Sequence, residues 1–323
     1  MPRCPACGAR DFRASERSAR HSGEWCECGH CGLLATTAVL ASGELPALID
    51  ARLAGGRFVL EAGDPFFVES YSLRTLALSR GLVARPVGEV QCAALAAPYQ
   101  ERPAVADLLP LAACPSVPVS LVMLCRSSDL ASFPKALAPA SKAFDDLCLV
   151  VDAVEADVTA WPRAADWPHP VRLLRRPLAG DFGGQRNAGQ AMARHDWVLQ
   201  LDADETLDAA SFAALGRVAA LAEPCGSVSI GLPRRNRVDG ILSDLFPDIQ
   251  YRLNRRSVHF DGKVHERPAL PRGWRDGFIA PNLCIDHHLS RAHVERRSTR
   301  YEAMDPGKGR LFEREALLTS YRD

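Results

Sequence analysis

The sequence lacks net charge, long apolar runs and an apolar leader. Lysine and arginine together number 39, as do aspartate and glutamate, so the formal net charge is zero. Without a basic excess there is no general electrostatic basis for binding nucleic acid. No uncharged apolar run reaches the ~18 residues that suggest a membrane span, and the first residues lack the apolar core of a signal peptide. We therefore expect a cytoplasmic protein whose 323 residues suffice for about two domains.

Cysteine is concentrated at the start of the chain. Cys4-x-x-Cys7 and Cys28-x-x-Cys31 are each followed by glycine, which permits a tight knuckle turn. Paired C-x-x-C segments of this kind close a tetrahedral Zn²⁺ site, and four thiolates leave no open position for catalysis. The sequence thus predicts a structural zinc ribbon, in which Cys26 is an alternative ligand to Cys28. The other six cysteines are scattered in apolar surroundings typical of free thiols.

The segment 35–113 is rich in alanine and leucine, with a predicted strand at 57–61 and a predicted helix at 70–79. Its order behind the cysteine pairs resembles the start and the late part of a class I methyltransferase. No glycine-rich S-adenosylmethionine loop lies between those parts. We therefore expect a small α/β segment, a methyltransferase-like remnant that acts as a scaffold or interaction module. A proline-rich linker follows, over about 98–118.

From Val117 onward, predicted strands alternate with helices, as is typical of an open α/β sheet. Buried strands are predicted at 119–125 and 147–151, with a helix at 133–144 between them. Asp152 directly follows the second strand. Ligands of open α/β sheets bind outside the carboxyl ends of the strands, so Asp152 lies where a nucleotide is expected.

The most informative stretch runs from 181 to 205. Two glycines precede a predicted helix at 185–194, and a compact apolar strand at 197–201 follows. Asp202 and Asp204 come directly after that strand. Side chains two residues apart in an extended chain face the same way, so these carboxylates can converge on one ligand. Hard oxygen donors of this kind suit Mg²⁺ or Mn²⁺, which share substrate phosphates.

Two pairs of motifs carry a family resemblance. QRNAG at 185–189 and LDADE at 201–205 resemble the Arg-Asn-x-Gly helix and the Asp-x-Asp-Glu cluster of family 2-type glycosyltransferases of GT-A fold. PDIQYRL at 247–253 and GKVHE at 262–266 resemble the acceptor half of the same family, particularly relatives of lipopolysaccharide core glucosyltransferases. The resemblance implies a nucleotide-diphospho-sugar transferase with a Rossmann-like open sheet over residues 114–323, behind a zinc ribbon at 1–34.

The resemblance also implies roles for residues. Asp202 and Asp204 would hold Mn²⁺ or Mg²⁺ on the donor diphosphate. Asp152 would contact the base or ribose, in a family pattern that continues at Asp157 and Thr159. The residues between those two aspartates depart from the family, which leaves the base open. Because its guanidinium fork suits phosphate, Arg186 joins a predicted donor-binding set. That set comprises Asp152, Arg186, Asn187, Asp202, Arg252 and His265.

The acceptor half supplies the predicted catalytic residue. Glu266 would take the proton from the attacking acceptor hydroxyl as general base, and His265 would orient it or contact phosphate. Family members often place a histidine at the position of Asp286-His287-His288, where it completes the metal site or contacts the diphosphate. The match of Ile285-x-His favours His287 over His288 for that position, and an imidazole ligand would favour manganese.

The predicted function is therefore metal-dependent, inverting transfer of a sugar from a nucleotide-sugar donor to a glycan, lipid-linked or protein acceptor, in cell-surface glycan or lipopolysaccharide-type synthesis. One alternative is a catalytically decayed transferase that acts as a zinc-ribbon binding or scaffold protein. Another is a nucleotidyltransferase, but the segment 124–128 lacks the glycine- and lysine-rich loop that this class needs. The basic, amphipathic segment 291–314 is predicted as a solvated helix, with peripheral contact to an anionic membrane as the weaker alternative.

Overall fold

A computed structural model describes residues 2–15, 17, 23–97, 101–131, 133, 138–154, 169–307 and 311–322. The strands are β1 (Phe12–Ala14), β2 (Trp25–Cys28), β3 (Leu34–Thr36), β4 (Arg57–Val59), β5 (Phe66–Phe67), β6 (Leu82–Pro86), β7 (Val105–Pro110), β8 (Val119–Arg126), β9 (Leu147–Asp152), β10 (Val171–Arg175), β11 (Trp197–Asp202), β12 (Glu205–Thr206), β13 (Ser229–Val238), β14 (Ile241–Leu242), β15 (Asp248–Arg255), β16 (Phe260–Asp261), β17 (Arg267–Pro268), β18 (Gly277–Ile279) and β19 (Ile285–Leu289). The helices are α1 (Thr37–Ser42), α2 (Leu45–Leu53), α3 (Ser70–Leu78), α4 (Glu89–Ala94), α5 (Phe182–Met192), α6 (Ala209–Ala220), α7 (Arg291–Met304) and α8 (Glu313–Leu318).

The N-terminal part contains two small sheets that share one apolar core. Strands β1, β2, β3 and β5 form an antiparallel sheet beside the cysteine knuckles, and β4, β7 and β6 form a second one. The four knuckle cysteines pack in the same cluster as Ile49 and Leu73. All nine residues of α3 are buried, because this helix lies between the N-terminal sheets and the larger C-terminal sheet.

The C-terminal part is an open mixed α/β sheet of ten strands, as expected for its class. Its first half is parallel, in the order β10-β9-β8-β11. Strands β9 and β10 therefore lie on one side of β8, in the order in which they occur along the chain, whereas β11 pairs with the other side of β8. Such a reversal opens a crevice at the carboxyl ends of the two strands that flank it. That crevice lies beside Asp202, the last residue of β11.

The second half of the sheet brings later residues to the same edge. Strand β15 runs antiparallel to β11 with Leu253 opposite Leu199, so Arg252 lies toward the carboxyl end of β11. Strand β13 follows β15, and β19 pairs parallel to β13 with His287 opposite Asn236. The sheet ends at β12, which pairs antiparallel with the other edge of β19 and places Glu205 opposite His287.

Helix α5 packs unusually close to the parallel strands. A Cβ atom at Gly189 would lie 2.3 Å from a methyl carbon of Val122 and 3.3 Å from one of Val150. Only glycine permits this approach, which gives a packing reason for the glycine of the QRNAG motif. The Asp181 side chain begins the helix by accepting a hydrogen bond of 2.8 Å from the Gly184 N–H.

The segment 229–268 supplies a long strand and a short hairpin. Strand β13 runs from Ser229 to Val238. Only Phe260–Asp261 of the segment 258–266 is a strand; it forms a hairpin with β17, and Glu266 lies on the hairpin loop. For the helix predicted at 133–144, the described residues contain a short 3-10 turn at Ala138–Ala140, since prolines interrupt this segment.

Candidate functional site

Asp202 is held by two arginines at the carboxyl edge of β11. Nη2 of Arg186 donates to both carboxylate oxygens, at 2.8 and 3.1 Å, and Nη2 of Arg252 donates to Oδ2 at 2.7 Å. The side chains of Arg186 and Arg252 are only 1% and 7% exposed, whereas that of Asp202 is 30% exposed. Two buried guanidinium groups thus meet at one partly exposed carboxylate.

Glu266 shares the same two arginines. Its Oε1 accepts a hydrogen bond from Nε of Arg186 and lies 3.5 Å from Nη1 of Arg252. Burial opposes ionisation of Glu266, but the charges of Arg186 and Arg252 outweigh it, so the pKa of this carboxyl is lowered. The predicted base is therefore ionised at neutral pH but only weakly basic while both arginines contact it.

Asp204 faces away from the arginines toward His287. Its Oδ2 lies 3.4 Å from Nε2 of His287. Burial opposes ionisation of Asp204, yet the hydrogen bond and charge of His287 outweigh it and lower the pKa of the carboxyl. His288 is exposed and contributes its backbone N–H to the Asp204 carbonyl at 3.0 Å. The structure therefore brings His287, and not the side chain of His288, to the acid cluster.

Asn236 orients His287, and sequence reasoning missed it. Its Oδ1 lies 2.7 Å from Nδ1 of His287, while its Nδ2 donates to Asp248 at 3.0 Å and to the Leu245 carbonyl at 3.3 Å. Because two acceptors face Nδ2, the amide orientation is determined and Oδ1 must accept from Nδ1–H. This leaves Nε2 of His287 as the nitrogen that faces Asp204.

Glu205 and Arg234 link the two halves of the site. Glu205 is buried, and its Oε1 accepts hydrogen bonds from Arg234 at 2.9 Å and Arg252 at 3.2 Å. Its Oε2 accepts from the backbone N–H of Asp202 at 3.1 Å, which fixes the turn after β11. Arg234 continues to Asp248 at 2.6 Å. The only sequence signals for this network were the final glutamate of LDADE and the aspartate of PDIQYRL.

The three predicted active-site metal ligands are only partly assembled. Asp204 and His287 are adjacent, but both oxygens of Asp202 are engaged by the arginines. Within the described ranges, the only group of three or more cysteine, histidine or acidic residues with all ligand atoms within 4.8 Å of one another is the four-cysteine cluster. The structure thus brings two of the three predicted ligands together and holds Asp202 in ion pairs with the arginines.

The other three predicted donor-binding residues contact neighbouring segments. Asp152 ends β9 and accepts a hydrogen bond of 2.8 Å from the Leu178 N–H. Asn187 uses both ends of its amide on the backbone of Phe260, at 2.8 and 3.0 Å, and so attaches α5 to β16. The backbone of His265 is left-handed at φ 52°, and its ring contacts Tyr301 edge-on. The predicted pattern at 157 and 159 lies outside the described residues.

The four-cysteine cluster is preassembled and buried. The sulfur atoms of Cys4 and Cys31 lie 3.6 Å apart, as do those of Cys7 and Cys28. Four thiolates at about 2.3 Å from a tetrahedral Zn²⁺ lie about 3.8 Å from one another, so the cluster has the size that such an ion requires. Cys26 lies outside this group, 4.0 Å from the Thr37 hydroxyl. The cluster suits a structural metal, because all four ligand positions are protein thiols.

In the part of the chain that the structure describes, no helix has both the length and the apolar character needed to cross a membrane.

Comparison with known proteins gives distant fold neighbours only. No family model matches the chain, and no curated protein matches it. Similar solved structures include S. aureus TarS 1–349 in complex with UDP, at 13% identity and a TM-score of 0.34, covering 56% of this chain and 64% of that one. The UDP-GlcNAc complex of TarS 1–349 shows 12% identity, a TM-score of 0.35 and coverage of 58% and 64%. A putative glucose-1-phosphate thymidylyltransferase from Bacillus anthracis shows 8% identity, a TM-score of 0.27 and coverage of 43% and 64%. The chain spans less than two thirds of the length of these neighbours, and similarity at this level leaves the function to be argued from the residues.

Proposed function

We propose that the chain is a metal-dependent glycosyltransferase of GT-A fold, related to family 2, that moves a sugar from a nucleoside-diphosphate donor to an acceptor hydroxyl with inversion. The observation that carries this proposal is the meeting of Arg186 and Arg252 at Asp202, beside the Asp204–His287 pair, at the carboxyl edge of the parallel strands. Buried guanidinium groups suit a diphosphate, and the pair supplies ligands for a cation that shares its oxygens. The motif resemblance points to cell-surface glycan or lipopolysaccharide-type synthesis.

The contacts of His287 support a cation site. Oδ1 of Asn236 accepts a hydrogen bond from Nδ1–H of His287, so Nε2 is the ring nitrogen that faces the Asp204 carboxylate, 3.4 Å away. A cation bound between Nε2 and the Asp204 carboxylate would have one ligand from each residue. A carboxylate and an imidazole together favour Mn²⁺ over Mg²⁺. When bound, this metal would supply Lewis acidity that neutralises the charge on the leaving nucleotide.

The two arginines would change partners when donor binds. A diphosphate competes with Asp202 and Glu266 for the same N–H groups. As Arg186 and Arg252 turn to the phosphates, Asp202 regains oxygens for the metal, and Glu266 loses the positive charges that lower its pKa. Donor binding thereby raises the basicity of Glu266 before the acceptor hydroxyl reacts.

In the proposed reaction the acceptor oxygen attacks the anomeric carbon from the side opposite the diphosphate. The new carbon–oxygen bond forms as the bond to the diphosphate oxygen breaks, and the electron pair leaves with the nucleoside diphosphate. Glu266 accepts the hydroxyl proton, while Arg186 and Arg252 hold the phosphate oxygens. Without donor, Arg186 and Arg252 neutralise the charges of Asp202 and Glu266.

The experiment that tests the donor site is a thermal shift of purified protein with UDP, GDP, CDP and dTDP sugars, each with and without Mn²⁺. Ligand at a hundred times its Kd stabilises a protein by about 2.7 kcal/mol, so a shift is easily measured. We expect one base to stabilise the protein only with Mn²⁺. Asp204→Asn should lose that shift, and the matched variant His288→Ala should keep it.

Two outcomes would contradict this assignment. Equal shifts in Asp204→Asn and wild type would remove Asp204 from the metal site. No shift with any nucleotide sugar, in protein that retains its zinc, would favour the alternative of a decayed transferase acting as a scaffold around the zinc ribbon. The cysteine cluster is proposed to hold that zinc in either case.

A further inference from the structure

Arg74 is a buried positive charge without a carboxylate partner. It lies in α3, is 4% exposed, and has its guanidinium carbon 3.9 Å from the ring centre of Phe278. Nε and Nη2 contact no hydrogen-bond acceptor among the described residues, and no carboxylate of that part of the chain pairs with the side chain. A guanidinium group stays ionised in proteins, and a buried charge without a counter-ion is strongly destabilising. An anion near Arg74 would offset that cost.

The group that meets Arg74 is a cysteine. Nη1 of Arg74 lies 3.1 Å from Sγ of Cys225, and the Ser227 hydroxyl lies 3.2 Å from the same sulfur. Cys225 ends a short 3-10 turn at the surface, between exposed residues, and its side chain is partly exposed. We propose that Cys225 is a thiolate that serves as the counter-ion of Arg74, and that it is the chain's preferred site of modification by hydroperoxides and carbon electrophiles.

The electrostatic surroundings of the other cysteines support this selectivity. Burial would raise the pKa of Cys225, but Arg74 and the hydrogen bonds from Ser227 outweigh it, so the pKa is lowered. The nearest acidic neighbour along the chain, Glu223, is held by Trp197 and Arg255 instead. Burial raises the pKa of the thiols of Cys125 and Cys148, to about 12 and about 11, and also that of Cys284.

The reaction with a hydroperoxide needs no further reagent. The thiolate sulfur attacks the terminal oxygen of the hydroperoxide, which keeps its hydrogen, and the oxygen–oxygen bond breaks. The product is a sulfenic acid, and the alkoxide or hydroxide that leaves carries the electron pair; an alkoxide then takes a proton from water. With iodoacetamide, a sulfur–carbon bond forms and iodide leaves. The thioether is neutral, so alkylation removes the counter-ion of Arg74 at the contact between α3 and the C-terminal sheet. Alkylation should therefore lower the melting temperature.

The test is site-resolved alkylation of the zinc-loaded full chain with iodoacetamide, read by peptide mass spectrometry between pH 5 and pH 10. An ordinary thiol is only about 3% ionised at pH 7. We expect Cys225 to react about tenfold faster than Cys284 or the exposed Cys92 at pH 7. The pH at which its alkylation rate is half of the maximum should also lie below the corresponding pH for those two cysteines. Dimedone should trap a sulfenic acid at Cys225 after peroxide treatment.

Two substitutions of Arg74 distinguish the effect of its charge on Cys225 from the effect of its packing. Arg74→Met should slow alkylation of Cys225 and raise its midpoint pH, whereas Arg74→Lys should restore much of the rate. The wild-type pH profile decides the question even if Arg74→Met does not fold. A Cys225 midpoint at or above that of Cys92, or a rate at pH 7 no faster than that of Cys284, would overturn the proposal.

Discussion

The two candidate metal sites of this chain differ in how complete they are without metal. The four cysteines are buried, and their ligand atoms lie within 4.8 Å of one another. At the edge of β11, only Asp204 and His287 are adjacent, and Asp202 is engaged by arginines. The four sulfur atoms already face one another, whereas the acid site neutralises its carboxylates with its own arginines and histidine.

The difference in completeness indicates a different role for each site. A closed cluster at the centre of an apolar core couples metal binding to folding. In the proposed exchange, the acid site would couple metal binding to the arrival of another anion, because its ligands would change partners. Arg186 and Arg252 are the residues that make this exchange available, because each contacts both Asp202 and Glu266.

The largest expected effect is on the cysteine cluster. Cys28→Ser should abolish stoichiometric zinc binding and destabilise the N-terminal core, at a cost on the order of several kcal/mol, because the metal ties both knuckles together. Zinc content by mass spectrometry and the melting temperature are the measurements. Cys26→Ser is the matched control, since Cys26 lies outside the cluster. Loss of zinc in Cys26→Ser with retention in Cys28→Ser would reverse the ligand assignment.

The second-largest expected effect is the loss of sugar transfer when Glu266 is substituted. Glu266→Gln should reduce sugar transfer by about 10²–10⁴-fold, since the amide cannot take the acceptor proton. Donor affinity should be unchanged or tighter, because Arg186 and Arg252 lose a competing carboxylate. Transfer rates and donor affinity by calorimetry measure these two quantities separately.

The control for that variant is Asp261→Asn, which removes an exposed carboxylate from the same hairpin. It should leave both quantities unchanged. Normal turnover in Glu266→Gln would exclude Glu266 as the base, and weakened donor binding with normal turnover would instead assign it to the donor pocket.

The open sheet was predictable because its signals are local. Apolar runs at 119–125, 147–151 and 197–201 each became a buried strand, and Asp152 and Asp202 ended two of them as expected. Helix α5 was likewise indicated by its glycines and its helix-forming residues. Such patterns depend on residues that are close in sequence, so they can be recognised without knowledge of the rest of the fold.

The contacts within the site were not predictable in this way. Arg252 reaches Asp202 only through the antiparallel pairing of β15 with β11, and Asn236 meets His287 only through the parallel pairing of β13 with β19. These partners lie fifty or more residues apart in sequence, so no local spacing indicates them. The partner of Arg74 was missed for the same reason, since Cys225 lies 151 residues away.

The smallest expected effect is at Asn236. Asn236→Ala removes the acceptor of Nδ1–H, so His287 should no longer keep Nε2 free toward Asp204, and Mn²⁺ affinity should fall about 10–100-fold. Electron paramagnetic resonance of Mn²⁺ measures the affinity without turnover, and nitrogen chemical shifts of His287 report the tautomer directly.

Asn254→Ala is the matched control for Asn236→Ala. Asn254 is equally buried in the same sheet and bonds the Ser229 hydroxyl and the Tyr251 carbonyl, but it does not contact His287. Both variants lose buried hydrogen bonds and should lose similar stability, whereas only Asn236→Ala should change the tautomer and the Mn²⁺ affinity. Equal changes of Mn²⁺ affinity in the two variants would show that Asn236 acts through the packing of the sheet. A change confined to Asn236→Ala would show that one amide oxygen prepares the ring nitrogen for the metal.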